Sequence, residues 1–542
     1  MSLRDEASSG RLLTVVLLSV LAAAALVTAL VPINSNDLWW HLKTGDVIRA
    51  NGALPDGDPF SYLPASDSAD PARPQLILRQ YWLAQVAYSL VHGVFGLAGI
   101  VWLRAALCAA MILAAGGFLW RATRSNLALL PLLPLTLALR VMLEDSDRPH
   151  LFVFASTLLV VIVLEYCART ARSRPLFLLV PLQLAAAQLH PGFAVGTLTV
   201  AVYAGCALRE PRLQPVRRAL WLTAGACLLV FLLNPNGLRL VPSLFGNAFG
   251  ARAADVLEFQ SPLAIWRHVA TEPGWLACAA LVLATVPTLG LLLWRRCFSA
   301  AAIAGGLALA ALLSMRYLGF FLPVAALLAG LALAEAGAVR WSRRHDLLLA
   351  PALVLLALVL IAAPGHGNRG RIRQLLQPGY FPVRAADYLA ANAGRGHLFN
   401  FDAWGGYLSY RLWPRQLIFT DTRVLSGDAA AAYREILADT PAGRDLLQRH
   451  DIDTVVMPSI DIYSGELYPL VRRLAGDARW SLVHVDDIAL VFARQPDPRP
   501  ALAREMAWFQ VLRQVEAWQP RFPWAPGYQR TRAEAAARLG RP

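Results

Sequence analysis

Lysine is almost missing from this chain. Lys43 is the only one in 542 residues, so arginine carries nearly all the positive charge, a bias that codon composition explains without invoking a reactive amine. Cysteine is scarce too. The six present, Cys108, Cys167, Cys206, Cys227, Cys278 and Cys297, fall in or beside apolar runs, which argues against a disulfide framework or a cysteine metal site. Also absent are a Gly-Lys-Ser/Thr phosphate loop, a Gly-x-Gly-x-x-Gly opening a helix, His-Glu-x-x-His and Gly-x-Ser-x-Gly. Nucleotide-driven transport and ordinary serine or zinc hydrolysis thereby lose their usual chemistry. Charged residues make up 16% of the chain, against about 25% in an ordinary soluble domain. The net charge of +14 does not indicate nucleic acid, because the arginines stand singly or in short loops between apolar segments, where membrane topology accounts for them.

Apolar residues, by contrast, reach 57%, and they are unevenly spread. Residues 11–363 hold long apolar runs, whereas 364–542 read as a water-soluble mixture. A helix needs about 20 largely apolar residues to cross a bilayer. Candidate runs are 11–33, 97–120, 126–143, 149–168, 175–190, 192–208, 218–234, 275–294, 299–315, 317–338 and 347–363. The expected fold is therefore mainly α: a polytopic transmembrane bundle of about eleven spans over residues 1–363, with a large loop 34–96. A small soluble α/β domain over 364–496 and a helical, partly disordered tail over 497–542 follow. The first run exceeds a signal-peptide core and meets Asn34-Ser35-Asn36-Asp37 without a cleavage site, so it reads as a retained helix.

Basic residues stay on the cytoplasmic side of a membrane. Alternate loops carry Arg121 and Arg124; Arg169, Arg172 and Arg174; Arg209, Arg212, Arg217 and Arg218; Arg295 and Arg296; and Arg340, Arg343 and Arg344. This alternation predicts a cytoplasmic amino terminus, with loops 34–96 and 235–274 and the carboxy-terminal domain on the outer face; the expected membrane is a bacterial inner (plasma) membrane. Residues 76–93 are apolar enough to cross, but a crossing there would break the alternation, so they are expected along the interface, where Trp and Tyr are at home.

Charged groups kept near helix ends in a membrane usually face a cavity. After the first run comes Asn34-Ser35-Asn36-Asp37-Leu38-Trp39-Trp40-His41-Leu42-Lys43. Its carboxylate, Asp37, suits either a general base or a plain helix cap, and His41 is a further candidate. Asp56-Gly57-Asp58-Pro59 offers an Asp-x-Asp spacing that leaves a divalent metal open, although the same string writes a tight turn; Asp58 is the more functional of the pair. Glu144-Asp145-Ser146-Asp147-Arg148-Pro149-His150 gathers three acids, an arginine and a histidine in seven residues. His190 precedes Pro191-Gly192 at another outer turn. Arg316 stands alone between two apolar runs on the arginine-poor face, where its guanidinium suits a phosphate or simply snorkels to the interface.

An amino-terminal helix, a large outer loop with an early acid, many further helices and an outer soluble domain resemble the GT-C class of membrane glycosyltransferases, in particular the protein O-mannosyltransferase and aminoarabinose transferase branch. The residues carrying the resemblance are Asp37-Leu38-Trp39-Trp40-His41-Leu42, Trp82-Leu83-Ala84-Gln85, Phe95-Gly96-Leu97, Arg104, the acidic Arg-Pro-His cluster, Asn234-Pro235-Asn236-Gly237 and Arg316. The resemblance implies transfer of a sugar from a polyprenyl-phosphate donor to a glycan, lipid or protein acceptor, with inversion. It implies that Asp37 matches the first-loop acid, that Glu144, Asp145 or Asp147 supplies a second, and that Arg316, with Arg148, His190 and Lys43, holds the donor phosphate. His150 joins the candidates. In the mannosyltransferases the first acid has an acidic neighbour, whereas Leu38 follows Asp37 here. A lipid or glycan transporter and a non-catalytic membrane assembly partner are the competing classes; the first calls for charge at mid-membrane in broken or repeated helices, and no internal repeat is evident.

In the soluble region the pattern predicts helices over 382–392, 429–449 and 465–475 and strands over 396–401, 416–420, 453–457, 481–485 and 488–493. Phe401-Asp402-Ala403-Trp404-Gly405-Gly406-Tyr407-Leu408 reads as a glycine turn with aromatics that stack on a sugar or cover the domain's own core. Asp421 and Arg423 read as an ion pair or a binding edge.

Overall fold

The computed structural model describes residues 3–64, 71–143, 147–242, 257–337, 375–377, 379–392, 396–495 and 500–540. The chain forms two compact units, Met1–Ile33 with Gln80–Leu375, and Asn34–Arg79 with Leu376–Pro542. Residues 34–79 thus belong with the carboxy-terminal part rather than with the helical bundle to which the sequence reading joined them. The reason is aromatic. The helix Leu38–Asn51 buries Trp39 against Phe381, Tyr407 and Tyr410, with ring centroids 4.8–5.2 Å apart, and Ser61 bridges to Ile418.

The first unit is helical. Six of its helical stretches are long and apolar enough to cross a membrane: Leu12–Ala29, Trp82–Thr123, His150–Thr170, Pro211–Leu233, Pro273–Trp294 and Met315–Ala336. Four shorter apolar ones, Asn126–Met142, Arg174–Leu189, Phe193–Cys206 and Phe298–Leu313, fall at further predicted runs, and 347–363 lies outside the described residues. Six helices of spanning length, not eleven, are therefore what the described residues provide. Arg124 and Ala171 close their helices in the left-handed conformation. Loop arginines there are tied down, with Arg212 bonded to Glu165 and Glu210 and both Arg169 and Arg295 on Glu335.

Residues 76–93 are divided between the helix Arg73–Arg79 and the first part of Trp82–Thr123. That second helix is interrupted at Gly96, with φ 61° and ψ −160°, a conformation essentially reserved for glycine. A Cβ there would meet no neighbour, so Gly96→Ala isolates backbone strain from crowding. It should cost about 1–3 kcal/mol, seen as a lower thermal midpoint in detergent.

The second unit is an α/β domain around a four-stranded sheet of order β1-β2-β4-β3, where β1 is His397–Asn400, β2 Ile452–Met457, β3 Trp480–Val485 and β4 Leu490–Arg494. The β1/β2 pair is parallel and the others antiparallel. Three local expectations change. Residues 416–420 form no strand beyond the isolated bridge at Ile418. The predicted helix 429–449 is two, Gly427–Leu437 and Pro441–Arg449, because Thr440 caps a new start with Pro441 in its first turn. Phe401–Leu408 is not a turn but the opening of the helix Asp402–Leu412. Its glycines serve close approach: a Cβ on Gly405 would fall 2.2 Å from the Thr420 carbonyl oxygen, and one on Gly406 2.7 Å from that of Asn36. The aromatics Trp404 and Tyr407 are buried.

Where the sequence leads one to expect a helical, partly disordered tail over 497–542, the described residues 500–540 pack as part of this domain. The helices Glu505–Trp518 and Gly527–Arg538 bring Trp508, Val511, Val515, Tyr528 and Ala535 into the core beneath the sheet. Gln514 Oε1 accepts from the Ser459 hydroxyl at 2.8 Å.

Candidate functional site

In the second unit, Asp37 occupies the position before Leu38–Asn51 but makes no capping bond with its side chain. Its backbone carbonyl accepts from His41 N–H at 3.2 Å, while its carboxylate accepts from the Thr422 hydroxyl. The acid is therefore directed toward the 420–423 segment rather than along its own helix. His41 is buried, its ring 3.6 Å from that of Trp40. Lys43 lies over the Trp413 ring at 4.9 Å.

Beside Thr422, Arg423 bridges two carboxylates. Its Nη2 reaches Asp58 at 2.9 and 3.1 Å and Asp421 at 2.6 Å, and its Nε reaches Asp421 at 2.9 Å. All three side chains are at most 4% exposed, and the guanidinium lies 5.7 Å from the Trp40 ring and 5.2 Å from the Phe60 ring. Burial raises the Asp58 carboxyl above its ordinary value against the pull of Arg423. A small recess with room for about one water molecule adjoins this cluster, lined in part by Asp58, Ser61, Thr420, Asp421 and Ser426. The Asp-x-Asp string does not form a cation site: Asp58 faces Arg423, whereas Asp56 is 96% exposed and pairs with Arg79 at 3.3 Å. Among the described residues no three His, Cys, Asp or Glu side chains are gathered for a metal.

The first unit holds a different set. Glu144, with Asp145, lies outside the described residues. Asp147 is fully enclosed, both carboxylate oxygens 2.8 Å from Arg104 Nη1, and the same guanidinium donates to the Ala29 carbonyl at 3.1 Å. That geometry makes Asp147 an anchor between helices rather than a free acid. Arg148 and Arg316 come together on one partner: Arg148 Nη1 is 2.9 Å from Glu258 Oε2 and Arg316 Nη1 is 2.9 Å from Glu258 Oε1. Arg316 also lies over the Phe259 ring at 4.9 Å. His150 and His190 are neighbours, ring centroids 6.3 Å apart, with Tyr81 5.4 Å from His190. His190 Nδ1 accepts from Gly192 N–H at 2.8 Å. Gly192 connects this pair to the Arg316 segment, since a Cβ on it would lie 2.9 Å from both His190 Nδ1 and the Phe320 ring.

Of the candidates, then, Arg148, Arg316, His150 and His190 share one region of the first unit. Asp37 and Asp58, with His41 and Lys43, belong to the second unit. The sequence reading missed Glu258, which stands in loop 235–274 with Asp255 and Glu272 and no spacing that distinguishes it. Arg104 stands out in the sequence, but its bond to Asp147 is visible only in the fold. Two guanidiniums meeting the two oxygens of one anion are a geometry suited to a phosphoryl group.

No protein-family model and no curated protein sequence matches the chain. Its fold is similar to the crystal structure of the Archaeoglobus fulgidus oligosaccharyltransferase tethered to an acceptor peptide containing the NVT sequon, with a TM-score of 0.52 and 12% identity over 83% of this chain and 69% of that one. It is likewise similar to the archaeal oligosaccharyltransferase AglB from Archaeoglobus fulgidus in complex with an inhibitory peptide and a dolichol-phosphate, with a TM-score of 0.52 and 10% identity over 89% of this chain and 75% of that one. The chain has the GT-C fold of an integral membrane protein.

Proposed function

We propose that this GT-C chain is a membrane glycosyltransferase that takes a sugar from a polyprenyl-phosphate-linked donor and passes it, with inversion, to a glycan, lipid or peptide acceptor on the non-cytoplasmic face. The observation carrying the proposal is the convergence of Arg148 and Arg316 on a single carboxylate. The dolichol-phosphate of one archaeal neighbour supports the choice of donor class, and the acceptor peptide tethered to the other admits a peptide acceptor. As the anomeric C–O bond breaks, negative charge grows on the leaving phosphate, and two preorganised guanidiniums stabilise that charge more than they stabilise the ground state. His150 and His190 flank this phosphate end. To Asp37, in the second unit, falls the acceptor's side of the reaction: it accepts a hydrogen bond from the acceptor nucleophile or takes its proton. Asp147, already held by Arg104, keeps the helix start bearing Arg148 in place; Glu144 or Asp145 provides any second acid.

The test is transfer by purified protein from a panel of labelled polyprenyl-phosphate and polyprenyl-diphosphate sugars. Arg148→Ala and Arg316→Ala should each lower kcat/KM about 100-fold, the scale seen when one charge-stabilising donor is removed. Full transfer by both variants would remove the arginines from the mechanism. Absence of transfer by wild-type protein across the panel would remove the glycosyltransferase reading.

A further inference from the structure

Glu258 is the one member of the arginine cluster with no part in the reaction just described. Its carboxylate stands between Arg148 and Arg316, one oxygen to each at 2.9 Å, in the place where the proposed chemistry requires a phosphate. The three side chains remain open to exchange, with Arg148 20%, Glu258 35% and Arg316 38% exposed, quite unlike the sealed Arg104–Asp147 pair. The backbone around Glu258 is fixed. Its carbonyl accepts from the Ser314 hydroxyl at 3.2 Å, the Gln260 carbonyl accepts from Met315 N–H at 3.0 Å, and the Ser261 hydroxyl donates to the Leu312 carbonyl at 2.6 Å. Residues 258–261 are thus held against 312–315, and displacing the carboxylate requires only rotation of the Glu258 side chain.

Resting on the donor reading above, we infer that Glu258 is an internal stand-in for the donor's phosphate. Its carboxylate holds the two guanidiniums at the spacing of two oxygens on one phosphoryl group and is displaced when that group arrives. Like charges brought this close repel unless an anion lies between them, so without a bound donor the carboxylate keeps the site assembled. Because it must be displaced, it also competes with every incoming anion. A phosphate with two free oxygens regains both bonds, whereas a ligand offering a single acceptor oxygen does not. The site therefore selects a phosphoryl group over uncharged lipid and over singly accepting anions.

Binding measurements on the full chain in detergent or nanodiscs test this with three probes: polyprenyl phosphate, the matching polyprenol, and inorganic phosphate. Glu258→Gln removes the competing charge while keeping side-chain length. It should bind polyprenyl phosphate about tenfold more tightly than wild type, a gain of one decade that costs or yields 1.4 kcal/mol. Its thermal midpoint should fall slightly and then rise on adding inorganic phosphate, while wild type responds weakly; the polyprenol should bind both proteins alike. Arg316→Ala should lose the preference for phosphate over polyprenol. If Arg316→Ala loses that preference but Glu258→Gln binds phosphate as wild type does, or more weakly, the stand-in role is wrong and the donor reading survives. If wild type and Arg316→Ala bind polyprenyl phosphate equally, the donor reading itself fails and this inference with it. A gain confined to inorganic phosphate would overturn the lipid-donor assignment of the selectivity.

Discussion

Replacing Arg423 by methionine should unfold the second unit at a markedly lower temperature, with a loss of about 3–5 kcal/mol, the scale for removing one partner from a buried ion pair. The reason lies in what is left behind. Asp58 and Asp421 are at most 4% exposed and share this guanidinium as their cation. Arg73 is nearby in the same unit, but it donates to the backbone carbonyls of Val424 and Arg423. The effect should depend on pH with a definite sign. Burial already raises the Asp58 carboxyl, so the folded state holds this proton more readily than the unfolded one. Its contribution to stability is then greatest at low pH and falls as pH rises through the folded value. Loss of Arg423 removes an interaction that opposes this shift and so enlarges it. The stability gap between variant and wild type should accordingly be wide near pH 7.5 and narrower near pH 5, by up to about 1.4 kcal/mol per pH unit while the Asp58 carboxyl titrates. Adding Asp58→Asn and Asp421→Asn to Arg423→Met should recover much of the loss and flatten the pH dependence. A gap that stays constant with pH would mean that methionine disturbs packing against Trp40 and Phe60 rather than stranding charge.

This cluster also marks how far the sequence could be read. Apolar runs announced the helices because a bilayer demands continuous hydrophobicity, and ten of the eleven predicted runs coincide with apolar helical stretches even though only six have spanning length. Glycine misled where its purpose was contact. Gly405 and Gly406 read as a turn, but they lie in a helix that approaches the backbone at Thr420 and Asn36, an approach no local pattern encodes. The far end of the tail misled for a similar reason: proline and arginine gave it a disordered composition, while Tyr528 and Ala535 had a core waiting for them elsewhere in the chain. At the candidate site, Arg316 was conspicuous as a lone charge among apolar residues and Arg148 as a member of a charged cluster, so both were legible as candidates. Their partners were not. Glu258 is 110 residues from Arg148 and 58 from Arg316, and Arg423 is 365 from Asp58, so pairing over such separations is a property of the fold alone. The same holds for Asp147, which looks like a reactive acid until Arg104 takes both its oxygens.

Asp37→Asn should lower kcat/KM for sugar transfer about 100- to 10,000-fold, the range for losing a positioned proton acceptor, while leaving the fold intact. The substitution is close to isosteric, and the asparagine carbonyl oxygen can still accept from the Thr422 hydroxyl that now bonds the carboxylate. What disappears is negative charge. Helix stability changes little as well, because the Asp37 side chain makes no capping bond to Leu38–Asn51. Donor binding should be unchanged, so the loss falls on kcat and on the acceptor KM. Thr422→Val provides the complementary measurement. It removes the donor that orients Asp37 and keeps the charge, so transfer should drop only about tenfold, within reach of a single lost hydrogen bond to a charged group. The double variant should be no worse than Asp37→Asn alone, since orienting a carboxylate has no value once the carboxylate is gone. If Asp37→Asn transfers at the wild-type rate while Thr422→Val and Asp37→Ala lower thermal stability equally, Asp37 is a structural tie between the Leu38–Asn51 helix and the 420–423 segment, and the acceptor must be activated by another acid.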